Sequence, residues 1–588
     1  MIAEKRKLRR KWQRSRDPVI KTNLNSLSKL LSLSIKEFEN KALSTYLSGL
    51  SNEKSSDYSL WKATKKIKRP LVQSSPLKMI NEQWARTDDQ KATAFSEHLA
   101  KIFTSESTEA LLQDHLPIAE NDDIPLCTEL NIKEIIKNLS SKKAPGFDLI
   151  TAEVLVQLPD NIFEAITKII NACFRLKYIP SIWKVAEVIM VPKPGKPPTE
   201  VSSYRPISLL PILSKVLEKL FYERLMAIIT RKNLIPSHQF GFRKHHSTID
   251  QIHRITNIIE TSFEKKKVCS AVFLDVSQAF DKVWHQGLIY KLQRLLPNAY
   301  CEFLSAYLSE RVFRVKVENN FSKLNPINAG VPQGSILGPL LFLLYTSDVP
   351  TSSNYYVASF ADDTALLCTG DTVEESTTSL QTAVNAVSSW TKRWNLKLNN
   401  SKSVHIDFSH KQIERKHLFI DNIQIPYSNS AKYLGMTLDT KLRWKEHVKK
   451  KRQELDIKFA KLYWLLGKKS KVSTQNKILI YKQVLMPVWT YGIQLWGCAS
   501  KSTIQTIQKF QNKALRIIMD VPWYVRDADL QRDMGIDPVR TVIFNYATAH
   551  KLRLMNHPND EASKLVEEIA ADRRLLRIRP LDLINSDF

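Results

Sequence analysis

Two rhythms of apolar residues organise this chain. Val268 to Leu274 is a near-continuous apolar run of strand length, the pattern of a strand buried on both faces. Tyr355-Tyr356-Val357 and Ala365-Leu366-Leu367 flank Phe360-Ala361-Asp362-Asp363 and predict two strands joined by a turn. Val188 to Val191 reads as a further strand, and the proline-rich stretch Pro192 to Pro198 marks an exposed hinge after it. The helical rhythm appears in Ile207 to Ile229 and in the stripe Leu380, Val384, Val387, Trp390 and Trp394, which predicts a core-facing helix. A second stripe, Val448, Leu455, Phe459, Leu462 and Leu466, shares its helix with Lys445, Lys449, Lys450, Lys451, Arg452, Lys458 and Lys461. One face of that helix is apolar and the opposite face strongly basic, either as a solvated surface or as the wall of a nucleic-acid groove. From Pro18 to about Thr104 the chain reads as polar and helical, with Leu27, Leu30 and Leu31 and then Leu43, Tyr46 and Leu47 at helical spacing. No internal repeat or low-complexity tract interrupts the pattern.

Composition narrows the class of protein. At 588 residues the chain is too long for one core and predicts two to four domains or subdomains. A hydrophobic content of 43% suits a folded protein rather than a disordered one. The formal charge of +28 favours polyanionic partners, nucleic acid first and an anionic membrane surface second. The first sixteen residues are dense in Lys and Arg, as in a solvated helix or tail. Six scattered cysteines without a CxxC pair read as reduced core thiols, not disulfides or a zinc site. The longest clean apolar stretch, Ile336 to Tyr345, is too short to span a bilayer, and no signal-peptide core follows the charged N-terminus. The expectation is a soluble intracellular chain, nuclear or cytoplasmic, with no membrane partner.

The candidate chemistry lies in three acids. Adjacent ionised carboxylates at Asp362 and Asp363 repel each other, and a divalent cation turns that conflict into a pair of hard oxygen ligands. An ordinary acidic hairpin turn is the plain alternative. Asp275 ends the buried strand, where an unpaired acid is costly, and no basic residue adjoins it in sequence. If that strand lies beside the hairpin, the three acids converge into a ligand set for two Mg²⁺ ions. One ion lowers the pKa of an attacking hydroxyl and the other holds a triphosphate and its leaving group. Phosphoryl transfer asks for little beyond such positioning and charge stabilisation.

Three segments in order, Phe273-Leu274-Asp275-Val276-Ser277-Gln278-Ala279-Phe280-Asp281, Gly330-Val331-Pro332-Gln333-Gly334-Ser335-Ile336-Leu337-Gly338-Pro339 and Phe360-Ala361-Asp362-Asp363, resemble the central palm motifs of reverse transcriptases. Tyr204-Arg205-Pro206-Ile207-Ser208-Leu209-Leu210 and Gln239-Phe240-Gly241-Phe242-Arg243 resemble the fingers motifs of that family. Trp394-Asn395-Leu396-Lys397-Leu398-Asn399 with Lys402, and then Tyr433-Leu434-Gly435, resemble its two later palm motifs. Phe360 in place of tyrosine, together with the long spacings, resembles the non-LTR (LINE) branch. Tyr491-Gly492-Ile493-Gln494-Leu495-Trp496-Gly497 resembles the thumb of jockey-like elements. The resemblance covers about residues 130 to 500.

It implies an α+β right-hand polymerase fold, with fingers, a palm built on an antiparallel sheet, a helical thumb and a helical N-terminal extension. The expected domains are a basic extension over 1–120, fingers and palm over 121–440, a thumb over 441–530 and a helical appendage over 531–588. It implies an RNA-directed DNA polymerase that uses Mg²⁺, or Mn²⁺ in its place, with an RNA template, a DNA primer or target and dNTPs as partners. Asp275 and Asp362 would be the principal metal ligands, with Asp363 completing the cluster and the Val276 carbonyl contributing. Lys193 and Arg205 match residues that clamp the incoming triphosphate, a task suited to the bidentate fork of arginine. Gln333 and Gly334 match the loop packed on the nucleotide. Phe280 matches the steric gate against a ribose 2′-OH, or else packs in the core. Lys402 matches a lysine that protonates the leaving pyrophosphate, or else is an ordinary surface lysine. Asp281 reads as structural support. Tyr204 and Phe242 stack on template bases or pack, with packing favoured for Tyr204. Residues 1 to 120 offer no endonuclease acids and histidines. No RNase H acid set or Cys/His knuckle follows residue 500, so a polymerase module is expected. The competing expectations are a silent nucleic-acid-binding relic and a maturase-like RNA-binding protein.

Overall fold

A computed structural model of the chain describes residues 1–50, 59–68, 75–79, 82–104, 122–140, 143–567 and 573–584. The expected boundary at 120/121 falls outside them. The chain divides into two compact units: Met1–Val72 with Arg443–His550 and Arg577–Phe588, and Gln73–Leu442 with Lys551–Leu576.

Among its described residues the first unit contains helices and connecting turns and no strand. The basic opening forms the helix Ile2–Ser15, which buries none of its side chains. Asp17 caps the next helix, Pro18–Ser48, by accepting a hydrogen bond from the Val19 amide at 2.8 Å. The helix Lys445–Leu466 follows the expected stripe: Val448, Leu455, Phe459, Leu462 and Leu466 are buried, while the lysines point outward or lie half-buried. It packs on the helix Lys501–Met519, where Phe459 meets Phe510 edge-on at 6.0 Å and the Arg452 guanidinium covers the same ring at 5.1 Å. Trp489 and Trp496 are fully buried, the Trp496 indole donating to the Trp489 carbonyl at 3.1 Å.

The second unit holds two main sheets. In a four-stranded antiparallel sheet the order is Val404–Phe408, Val268–Leu274, Asp363–Gly370, Tyr356–Phe360. Every residue of the central strand Val268–Leu274 is buried, as its unbroken apolar run predicts. The helix Val373–Arg393 covers one face, setting Leu380, Ala383, Val384 and Val387 against Val272, Leu274, Leu366 and Cys368. The second sheet pairs Tyr204–Leu209 antiparallel with Val185–Pro192, which pairs parallel with Arg311–Val317. The helix Asp88–Ile102 closes over it through Phe95, Leu99 and Ile102. Thus part of the segment read as a polar extension supplies core to this unit.

Two local expectations are corrected. The helix expected from Ile207 starts at Ile212, because Tyr204–Leu209 is a strand. Pairing with Val185–Pro192, and the Ser208 amide donating to the Gln333 carbonyl at 2.8 Å, claim this backbone for a sheet. Those partners are invisible to a local apolar count. The stretch Pro192 to Pro198 is an exposed connection whose ends are fixed by the Pro192–Tyr204 pairing, not a free hinge. All six cysteines are free and buried, as read. Among the described residues no helix is long and apolar enough to cross a membrane.

Candidate active site

The site is built on the end of the central strand. Leu274 pairs with Thr364, so carrying the register one residue further sets Asp275 against Asp363. In the adjoining hairpin Phe360 pairs with Asp363, leaving Ala361 and Asp362 as the two turn residues. Such tight turns demand a positive φ, normally supplied by glycine. Ala361 takes φ 56°, a conformation that costs an L-residue about 1 kcal/mol.

Gln239 holds that strained turn. Its Oε1 accepts from the Ala361 amide at 2.9 Å and from the Gly241 amide at 2.8 Å, and its Nε2 donates to the Ala361 carbonyl at 3.3 Å. Around it the Phe240 amide donates to the Ser359 carbonyl at 2.9 Å and the Ser359 amide to the His238 carbonyl at 3.1 Å. Gly241 passes so close that an added Cβ would stand 2.1 Å from the Ala361 nitrogen. The motif Gln-Phe-Gly-Phe-Arg therefore clamps the acidic turn from outside the sheet. The Tyr433 hydroxyl completes the support, donating to the Ala358 carbonyl at 3.2 Å. Gln239 and Tyr433 lie within the motif segments, but nothing local in the sequence gives either a role.

A cleft of about 1760 Å³ opens over the acids, and Asp275, Val276, Asp362, Lys193, Arg205, Phe280, Gln333 and Lys402 all line it. Asp363 and Gly334 do not. Asp362 and Asp363 are both exposed, yet the surrounding protein strips enough water to act on their charges. Burial, with the Asp275 charge behind it, raises the Asp362 pKa against the opposing pull of its own backbone amide and Arg205. Burial, then the Asp362 and Asp275 charges, pushes Asp363 up to about 6. The Asp275 charge thus disfavours the ionised forms of both Asp362 and Asp363, and Asp362 adds to the effect on Asp363. Asp275 has a basic partner after all: Lys402 Nζ stands 3.5 Å from its Oδ2. The segment that carries Lys402 is tied to Asp275 by the Asn399 amide donating to the Asp275 carbonyl at 2.8 Å. Among the described residues no group of three or more His, Cys, Asp or Glu side chains is placed to hold a metal ion, so the expected three-acid convergence is not seen as a ready ligand set.

The remaining cleft residues are held from behind. Lys193 Nζ donates to the Ser202 carbonyl at 2.8 Å, and burial, with the Lys402 and Arg205 charges, lowers its pKa. Gln333 Nε2 donates to Asp281 Oδ1 at 2.8 Å, and burial pushes the Asp281 carboxyl up to about 6. Gly334 adopts φ +128° and passes Ser208, where a Cβ would meet the carbonyl oxygen at 2.5 Å. Buried Glu218 accepts from the Ile336 and Leu337 amides at 2.7 and 3.2 Å, fixing the start of the helix Leu337–Tyr345 just past this loop. No sequence signal marked Glu218. Phe280 stacks on Phe342 at 4.4 Å and meets Phe242 edge-on at 5.8 Å, so it packs on the core while facing the cleft. Tyr204 packs edge-on against Phe95 at 4.9 Å.

Comparison with known proteins accords with this geometry. Residues 191–438 match the family described as reverse transcriptase (RNA-dependent DNA polymerase). The chain is 39% identical to a probable RNA-directed DNA polymerase from transposon X-element of Drosophila melanogaster, over 99% of the chain and 66% of the relative. It is 37% identical to the probable RNA-directed DNA polymerase from transposon BS of the same fly, over 99% of the chain and 65% of the relative. With the RNA-directed DNA polymerase from mobile element jockey of Drosophila melanogaster it shares 35% identity over 100% of the chain and 66% of the relative. The chain therefore spans about two thirds of the length of these curated relatives. On these matches, the chain belongs to the reverse transcriptase family, within its jockey-like non-LTR retrotransposon branch.

Proposed function

We propose that this protein is an RNA-directed DNA polymerase that extends a primer 3′-OH with dNTPs on an RNA template by two-metal phosphoryl transfer. The observation that carries the reading is the shared cleft. Asp275 at a strand end, Asp362 in the hairpin turn, Arg205 in the neighbouring sheet and Lys193 just past it, an aromatic wall and a lysine beside Asp275 line one cavity.

The donor set suits a hard divalent cation, because Asp362 and Asp363, both raised by burial and by neighbouring carboxylate charge, gain from a nearby positive charge. Asp275 and Asp362 would hold Mg²⁺, or Mn²⁺ in its place, with Asp363 and the Val276 carbonyl contributing. The few carboxylates here suit Mg²⁺, which is held by one or two carboxylates with water and substrate phosphates as further ligands. When bound, such ions polarise the phosphate and acidify the attacking hydroxyl. The chain's own groups do the rest. Arg205 and Lys193 grip the triphosphate. Gln333, steadied by Asp281, and Gly334 back the nucleotide. Phe280 stands where a ribose 2′-OH would collide with it. Lys402 moves from Asp275 to give its proton to the departing pyrophosphate.

On this reading 121–440 are fingers and palm, 441–530 a thumb, 531–588 an appendage and 1–120 an extension, and the protein acts in the nucleus or the cytoplasm. The test is extension of poly(rA)/oligo(dT) with dTTP and Mg²⁺ by the parent and by Asp362→Ala, Asp363→Ala. The parent should extend and the variant fall by at least about a thousandfold, since the charge stabilisation it loses is the larger part of phosphoryl-transfer catalysis. Absent or equal extension would sink the proposal. With rUTP in the same assay, Phe280→Val should gain incorporation that the parent lacks; unchanged sugar selectivity returns Phe280 to packing alone.

A further inference from the structure

The helical unit carries a second built surface, made of residues that do not line the acidic cleft. The helix Lys501–Met519 buries Ile504, Ile507, Ala514, Leu515 and Ile518 and turns Lys509, Lys513 and Arg516 to one side, at i, i+4 and i+7. It ends on Asp520, which takes the left-handed conformation at φ 54°, and Pro522 follows two residues on. The loop beyond displays Trp523 at 85% and Tyr524 at 71% exposure, their rings edge-on at 6.1 Å.

Exposing two large aromatic side chains costs hydrophobic free energy, and this loop is not slack. Arg516 Nη2 donates to the Val525 carbonyl at 2.9 Å and pairs with Asp527, while the Val521 amide donates to the Arg516 carbonyl at 3.1 Å. The aromatic pair is therefore held outward by a cinched turn. Beside it lies a cavity of about 660 Å³ lined by Lys468, Lys509, Lys513, Arg516, Trp523 and Asp527. Lys468 pairs with Asp520 at 2.8 Å, but Lys509 and Lys513 have no acid partner among the described residues.

We propose that this cavity binds single-stranded nucleic acid, with a base stacked on Trp523 and the flanking phosphates on Lys509 and Lys513. Aromatic faces joined to unpaired cations in a concave site are the combination that grips an unstacked strand without reading its sequence. A duplex keeps its base faces covered and cannot use the indole in this way. A membrane face would call for a broad apolar patch, whereas Trp523 lines a cation-rich hollow with Tyr524 next to it in the chain.

The test uses the full chain in EDTA without dNTPs, so its outcome does not depend on polymerase activity. Ribo- and deoxy-oligonucleotide 12-mers carrying 5-iodouracil are photocrosslinked and the attachment points mapped by mass spectrometry. Crosslinks at Trp523 or Tyr524 are expected, with a yield that falls about tenfold in Lys509→Gln, Lys513→Gln, while crosslinks elsewhere in the chain persist. Each neutralised lysine should also lower the salt slope of that yield by about 0.7. Crosslinking in one arm assigns the sugar, and in both arms a sugar-blind site; either supports the proposal. No crosslink at either ring, or a yield indifferent to the two lysines, overturns it. So does co-sedimentation with phosphatidylserine vesicles in place of crosslinking, which would assign a membrane face.

Discussion

At the scale of single residues the site is governed by carboxylates that the fold makes uncomfortable. Asp281 is the clearest case, because it is almost wholly buried and its partner, Gln333, is neutral. Its folded pKa, about 6, lies above the unfolded value of 3.8. Between those values the native state binds the extra proton, so this residue costs stability as pH rises through the window. Asp281→Asn keeps an acceptor for Gln333 and removes that cost. The variant should resist urea better than the parent at pH 7.5, by about 2–3 kcal/mol, and lose the advantage by pH 4. A difference that does not vary with pH would show that the Asp281 charge carries no such cost. Lys402 teaches the complementary lesson: a lysine that could have been ordinary surface sits 3.5 Å from Asp275.

At the scale of elements the acidic hairpin is a strained object kept in place by a neighbour remote in sequence. Its turn puts a non-glycine residue at φ 56°, and Gln239 meets both backbone polar groups of that residue. Gln239→Ala should leave the buried Ala361 amide without its acceptor and destabilise the protein by about 1–3 kcal/mol. Primer extension should fall through kcat, with the KM for dTTP little changed. Adding Ala361→Gly, which tolerates positive φ without penalty, should restore part of both losses. A second substitution that rescues nothing would mean that turn strain is not what Gln239 restrains. The same reasoning explains the displaced start of the helix at Ile212. A stretch that reads as helix by composition becomes a strand when a partner strand and the Gln333 carbonyl offer its backbone better hydrogen bonds.

At the scale of the whole molecule, chain order and spatial grouping part company. Residues 551–576 belong to the same unit as the acids, far from them in sequence. Asp250, fully buried, accepts from Arg553 through both terminal nitrogens, at 3.1 and 2.5 Å, and caps its own helix through Ser247. Arg254 joins Glu561 at 2.8 Å to the Val357 carbonyl of the acidic hairpin at 2.8 Å. This late segment is thereby fastened behind the site. Arg553→Ala, which removes the guanidinium paired with a buried carboxylate, should lower the urea midpoint by the equivalent of about 2–3 kcal/mol. A change below about 0.5 kcal/mol would make the segment an ornament. The sequence by itself determined the parts whose signature is local. The seven-residue apolar run had to be a buried strand, the acids between two apolar runs had to be a turn, and the stripe at Val448 to Leu466 had to face a core. Periodicity reports how each residue divides between water and protein, and that division is settled within a few turns or strands. Only the tertiary structure decided the pairings: Lys402 with Asp275, Gln239 with Ala361, Ser208 with Gln333 and Arg553 with Asp250. Such contacts join residues separated by about a hundred positions or more. A directional hydrogen bond between distant groups leaves no periodic trace in either segment, so only the folded chain could bring these partners to light.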